Sequence, residues 1–379
     1  MLKYLFYLCV LSLSLGQLSV IAKSGGFSIY LFDISIAVFA FFGCIYFLLA
    51  KKRFAIPSNS VFFLIFSGFV LVSNILTAGK FNSSQHLVAN FYYVRWLVYL
   101  IAAVVVYNML KMGLISMGQI IQTFLLSGYF IFVAGLIQLV ILPDFGVLDP
   151  SLGWDPHKNR LSSTFFDPNF TGAYLSMCTI LALSQKRVLS LLVLVIGIIL
   201  TFSRSSWLTL SVILVVYGAT KNPKIIILAL IGSFLAYFAV PRIQTRISGI
   251  TDPADSAHFR IISWNNAVSI WKHSPIFGVG FNYYRYVQED FGFLTPDDFG
   301  DHAGAGSDSS FLNILATSGI VGLVFYLLGF FSPFLKGMEK EIVSSLAVNS
   351  MFINSLFFPA IMFFWLIFLF SAKFRDSHT

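Results

Sequence analysis

Charge is scarce in this chain. Asp, Glu, Lys and Arg make up only 11% of its 379 residues, whereas 58% are hydrophobic. No soluble core could hide so much apolar surface, so the solvent for most of the chain is lipid. The alternation of apolar and polar residues that builds a transmembrane barrel is missing, which leaves an α-helical bundle. Cysteine is nearly absent. Cys9, Cys44 and Cys178 lie inside apolar segments without CxxC or Cys/His spacing, which excludes a disulfide framework and a thiolate metal site and makes them small core residues. There is no internal repeat, no low-complexity tract and no dense basic patch. The formal charge of +8 is spread between apolar segments and is explained by membrane topology, so nucleic acid is not an expected partner.

What is present is a series of apolar runs. Residues 188–202, 225–240 and 361–370 carry no charge, and several runs approach the roughly 20 residues that cross a hydrocarbon layer as a helix. Candidate spans run 4–22, 27–50, 60–78, 91–110, 116–142, 169–184, 188–203, 205–220, 225–240, 309–335, 342–357 and 360–372. The expectation is an all-α polytopic bundle of about 12 spans, a single membrane domain over 1–379. Asn354 and Pro359 mark either a kink or a turn in the last pair. Lys3 followed by 4–21 resembles a signal peptide, but the run is as long as a full span and no small-x-small cleavage site follows, so it is read as the first helix.

One set of alternate loops holds Lys51, Lys52, Arg53, Lys111, Lys186, Arg187, Lys221, Lys224, Lys336, Lys340, Lys373 and Arg375. The positive-inside rule makes that side cytoplasmic, with both termini there. The opposite side carries most acids and two long polar segments, 143–168 and 241–308, so a catalytic surface is expected to face outward. Within the second, the spacing of Phe259, Ile261, Ile262, Trp264, Ala267, Val268, Ile270 and Trp271 predicts a helix lying on or between the others. Ser274-Pro275-Ile276-Phe277-Gly278-Val279-Gly280 then predicts its stop and a tight turn.

Charges at membrane depth cost several kcal/mol unless paired or hydrated, so each is a functional candidate. Asp33 and Arg95 could pair with each other. Arg204 stands among Ser203, Ser205 and Ser206, a setting suited to holding a phosphate oxyanion. Arg242, Arg246, Arg260 and Arg285 concentrate on the expected outer side, paired with surface acids or with an anionic ligand. Arg260, four residues before Trp264, could face the membrane interface. His302 in a glycine-rich run and Asp308 are the candidate bases, although Asp308 also suits a helix N-cap. His157, His258 and His273 have no evident partner and are read as surface residues.

The order of these features resembles the O-antigen ligase and polymerase family of bacterial membrane glycosyltransferases. The matching pieces are Ser163-Thr164-Phe165-Phe166-Asp167-Pro168-Asn169, Phe202-Ser203-Arg204-Ser205-Ser206-Trp207, the large loop with Arg260 and Trp264, Ser274 to Gly280, and Asp308-Ser309-Ser310-Phe311-Leu312 running on to Gly319-Ile320-Val321-Gly322. The resemblance implies a multi-pass protein of the bacterial inner membrane that moves a glycan from undecaprenyl diphosphate to an acceptor hydroxyl outside the cell. Arg204 and Arg260, with Arg95 as a further candidate, would hold the diphosphate without metal or cofactor. His302 or Asp308 would be the base. Membrane lipid, the glycan acceptor, a flippase and a chain-length regulator are the implied partners. Ligases similar to this chain carry His-Asn where it has Asp308-Ser309, which favours a polymerase of O-antigen, capsule or exopolysaccharide repeat units over a ligase acting on lipid A core. A secondary transporter or flippase is the reading from another class, opposed by the absence of related halves.

Overall fold

The computed structural model describes residues 1–24, 27–50, 54–149, 154–249, 256–295, 303–331 and 337–374. Its helices are α1 Leu2–Leu15, α2 Leu31–Leu49, α3 Ser60–Thr77, α4 Ser83–Lys111, α5 Met117–Ile141, α6 Pro168–Ser184, α7 Val188–Leu200, α8 Arg204–Thr220, α9 Lys224–Ala239, α10 Pro241–Ser248, α11 Ser256–His273, α12 Tyr284–Asp290, α13 Ser310–Phe330, α14 Met338–Asn349 and α15 Pro359–Ser371. A helix occupies each of the predicted spans. Among the described residues six of them, counting the short 3₁₀ turns that extend α1 and α3, are long and apolar enough to cross a membrane alone. A seventh qualifies if α9 and α10, bent by 96° at Val240, form one broken span. Helices α7 and α15 are apolar but shorter.

Local chemistry sets the helix starts. Asn82 with Gln85 and Ser116 with Gln119 form capping boxes for α4 and α5, satisfying amides that lipid could not. Asp167 caps α6, with Pro168 in its first turn, and Ser203 caps α8. One apolar cluster runs from Leu2 to Phe370. At its centre lies α15, buried on every side from Ala360 to Ser371, as its uniformly apolar sequence requires.

One expectation changes and one open alternative is decided. The first two spans are shorter than predicted, because β1 Val20–Ser24 and β2 Phe27–Tyr30 pair as an antiparallel hairpin between α1 and α2. Asp33 therefore sits in the first turn of α2, where it accepts from the Tyr30 amide at 3.1 Å. The break near Pro359 is a turn. Ile342 and Val343 of α14 surround the same small gap as Phe368 and Leu369 of α15, so the start of one helix meets the end of the other and the two are antiparallel.

The predicted turn after α11 has an unforeseen partner, an unwound step inside α13. Gly319 adopts φ 66°, ψ −174°. Val279 and Gly280 donate to the carbonyls of Ala316 and Thr317, and Ile320 donates to that of Pro275. A Cβ on Gly319 would meet the Ile276 carbonyl oxygen at 2.1 Å, in a backbone region almost confined to glycine. Gly319→Ala is expected to cost about 3 kcal/mol from strain and overpacking. Thermal unfolding in detergent checks it, with Gly68→Ala, whose Cβ meets nothing within 4 Å, as the neutral reference.

Candidate functional site

The long polar segments gather at one end of the bundle over two adjoining cavities of about 320 and 380 Å³. Both touch Tyr92, Arg95, Asp155, Asp167, Phe170 and Arg285. The first extends to Asp308, Asn313 and Asn354, and the second to Trp154 and His157. The walls combine aromatic faces, amides and carboxylates above an apolar floor, a lining suited to sugar rings and their hydroxyls.

Helix α11 connects the two sequence motifs beside this chamber. Arg204, the first residue of α8, donates to the Arg246 carbonyl at 3.1 Å and to the Ser256 hydroxyl at 3.0 Å. Ser256 opens α11, and Arg260 follows one turn later. One further step along, the Ser263 hydroxyl accepts from the Asp308 amide at 2.9 Å. Ser203, Ser205 and Ser206 do not surround Arg204. They are buried, and Ser203 and Ser206 bond Asn169 of α6 at 2.7 and 3.4 Å, anchoring the turn that precedes the arginine. Arg260 is half-buried and one turn before Trp264, which packs 5.8 Å from Phe352, while the apolar Phe259, Ile261 and Ile262 are exposed.

Asp308 is not a helix cap. Ser309 takes that position, accepting from the Leu312 amide because its hydroxyl is one residue nearer the first turn. Asp308 is left facing the chamber, where burial raises its pKa to about 6, with Arg260 opposing and Asp155 and Asp167 adding to the rise. A carboxylate that changes charge near neutrality suits general-base work. His302, the other candidate base, lies outside the described residues.

Arg95 pairs with Asp33 at 2.7 Å and donates to the Ser28 carbonyl at 3.1 Å. The rings of Phe91 and Tyr92 lie 4.9 Å from its guanidinium carbon. It reaches the wall of both cavities while tying α4 to the β-hairpin and α2. Arg242 also differs from the expected surface pairing. It stacks 4.4 Å above Phe202 and donates to the carbonyls of Asn159 and Lys158, clamping the first polar segment to α10.

That clamp brings in groups the sequence did not single out. His157, expected at the surface, has a side chain only 13% exposed. Burial lowers its pKa to about 4, with Asp167 opposing and Arg160 and Arg246 adding to the fall, so it is neutral at physiological pH. His258 and His273 are exposed as expected. Asp155, His157 and Asp167 bring potential ligand atoms within 4.8 Å of one another, donor types that a divalent cation accepts. Asp167 is committed to capping α6, and the nearby Arg160 and Arg246 would repel a cation, so the fit is poor.

Residues 189–327 match the family model described as O-antigen ligase. The match supports the resemblance to that ligase and polymerase family. It contains Arg204, Arg260, the turn after α11 and Asp308, the pieces that α11 and the unwound step of α13 join in space. Together with the long apolar helices it makes the chain a multi-pass membrane protein similar to the proteins that act on lipid-linked glycans. No curated protein sequence matches the chain. The first polar segment, with Asp155, His157, Arg160 and Asp167, lies outside the matched residues. Its sequence signal is the Ser163 to Asn169 motif, which carries the resemblance but gives no sign of the charges that pack around it.

Proposed function

We propose that the protein is a polymerase joining undecaprenyl-diphosphate-linked oligosaccharide repeat units into O-antigen, capsule or exopolysaccharide. All twelve apolar helices then cross or enter the inner membrane, both termini are cytoplasmic and the chamber opens outward. The observation that carries this reading is α11, which contacts Arg204 through its first residue, presents Arg260 one turn on and holds the Asp308 backbone through Ser263.

In the reaction, Asp308 takes the proton of the acceptor hydroxyl as that oxygen attacks the anomeric carbon of the donor. The bond from that carbon to the diphosphate oxygen breaks, and the leaving lipid diphosphate keeps the electron pair. Arg204 and Arg260 stabilise the charge that develops there, in a site fixed before the substrate arrives. The carboxylate and the arginines provide base and leaving-group stabilisation from side chains, without a metal. The carrier lipid lies among the apolar helices, which accounts for a sugar-handling protein being so apolar.

Reconstitution in nanodiscs with an undecaprenyl-diphosphate-linked repeat unit tests this. The expected products are a ladder of carrier-linked oligomers and free undecaprenyl diphosphate. The family description favours a second reading, a ligase. Transfer confined to lipid A core, with no ladder, would establish that alternative. Movement of the intact donor across vesicles without glycosyl transfer would overturn both.

A further inference from the structure

Arg160 stands two residues before the buried Ser162-Ser163-Thr164 turn, and its surroundings are unusual for a half-buried cation. Its position is fixed on both sides. Arg242 holds the carbonyls of Lys158 and Asn159, and the Leu161 amide donates to the Leu200 carbonyl at 2.9 Å. The guanidinium is held by neutral acceptors. Nε donates to the Thr201 carbonyl at 2.9 Å, Nη1 faces His157 Nδ1 at 3.4 Å, and Nη2 faces Asn169 Oδ1 at 3.5 Å. Two of these three contacts are long, and a guanidinium has five N–H groups to satisfy. Among the described residues no carboxylate pairs with it. Asp167, the nearby acid, already accepts the Asn169 and Phe170 amides at the start of α6.

Three of the four charges that act on Arg160, those of Arg246, Arg242 and Arg260, are of the same sign. Burial and then Arg246 depress the Arg160 pKa to about 9, with Asp167 opposing and Arg242 and Arg260 adding to the fall. A bound anion would relieve that repulsion and complete the unfilled donors. Shared bonds tie Arg160 to the arginine motif. Asn169 Oδ1 accepts from both Arg160 and the Ser203 hydroxyl, and the Thr201 carbonyl accepts Arg160 two residues before Ser203. Arg160 is thereby attached to the same turn that launches Arg204.

We propose that Arg160 is a third guanidinium of the diphosphate site, supplied by the first polar segment and lying outside the family-matched residues. This rests on Arg204 and Arg260 forming the diphosphate clamp. The leaving diphosphate gains roughly one negative charge as the glycosidic bond breaks, and an arginine held in place beforehand stabilises that gain without reorganising. His157, neutral and accepting through Nδ1, orients the guanidinium without competing for its charge, which makes His157 a positioning residue.

Binding of geranylgeranyl diphosphate and geranylgeranyl monophosphate to the purified full chain in nanodiscs tests the inference. Arg160→Gln is expected to weaken diphosphate binding about tenfold, to leave monophosphate binding within about twofold, and to lower the salt dependence of the former. A merely structural Arg160 would not move that selectivity. If Arg160→Gln fails to fold, the same ratio is read on Arg160→Lys, where a fall of about threefold is expected because an ammonium cannot span two oxygens. Unchanged selectivity in the folded variant, with diphosphate binding lost in Arg204→Ala, would overturn the role of Arg160 and leave the clamp standing. Wild-type binding that survives in Arg160→Gln, Arg204→Ala and Arg260→Ala alike would remove the clamp as well.

Discussion

Arg204→Ala and Arg260→Ala are each expected to abolish long polymer and to lower the rate of glycosyl transfer about 10²–10³-fold. The diphosphate carries its charge before and after reaction, but the charge grows as the anomeric bond breaks, so the loss should fall mainly on kcat. A loss confined to KM would instead mean uniform binding of donor and transition state. The two residues should not contribute additively, because α11 joins them. Arg204 bonds Ser256 at its first residue and Arg260 follows one turn later, so either truncation disturbs the other side chain. Arg204→Lys separates charge from geometry. It keeps the cation but cannot bond both the Arg246 carbonyl and the Ser256 hydroxyl, so an intermediate rate is expected. Protein amount and monodispersity are measured in the same cells and preparations. Full-length polymer from both alanine variants at normal protein levels would end the clamp reading.

Asp308→Asn carries the second large effect, a fall in transfer rate of about 10²–10⁴-fold. Its signature lies in the pH profile. A base must be ionised to accept a proton, and the Asp308 carboxyl is held near 6. The wild-type rate should rise about tenfold per pH unit below that value and level off above it. In Asp308→Asn this limb should vanish along with most of the rate. Stability moves the other way. A carboxyl raised above its ordinary value binds its proton more tightly in the folded state, so the wild-type fold loses stability as pH climbs from about 4 to 6. At pH 7.5 the asparagine variant should then be at least as stable as wild type, which separates a chemical role from a structural one. An acidic limb near 6 that persists unchanged in Asp308→Asn would assign the base to another group.

The helices were legible because lipid leaves so little choice. A backbone without water must satisfy its own amides, so every long apolar run became a helix. Helix α11 was equally legible, from the spacing of its apolar residues. The ends were not. Residues 20–22 and 27–30 fall inside two predicted spans, yet they belong to the strands of a hairpin, and nothing local in the sequence distinguishes a strand ladder from a helix end over so few residues. Gly278 announced a turn, but Gly319 lay inside a predicted span, and nothing showed that the two would dock on each other, since each contact is made by backbone atoms that every residue possesses.

Composition and charge order alone determined that this is a helical membrane protein with its long polar segments gathered together, and the resemblance of its local motifs singled out Arg204, Arg260 and Asp308. Those properties depend on transfer energies and on local sequence, which a chain carries with it unfolded. Tertiary structure alone decided that Asp308 faces a cavity while Ser309 caps the helix, that Arg95 takes the Asp33 partner the sequence had only offered, and that His157 and Arg160 meet, half-buried, beside the arginine motif. Each of those outcomes depends on which distant backbone carbonyl or amide arrives next to a side chain. That proximity is created only when α6, α8, α10 and α11 pack together.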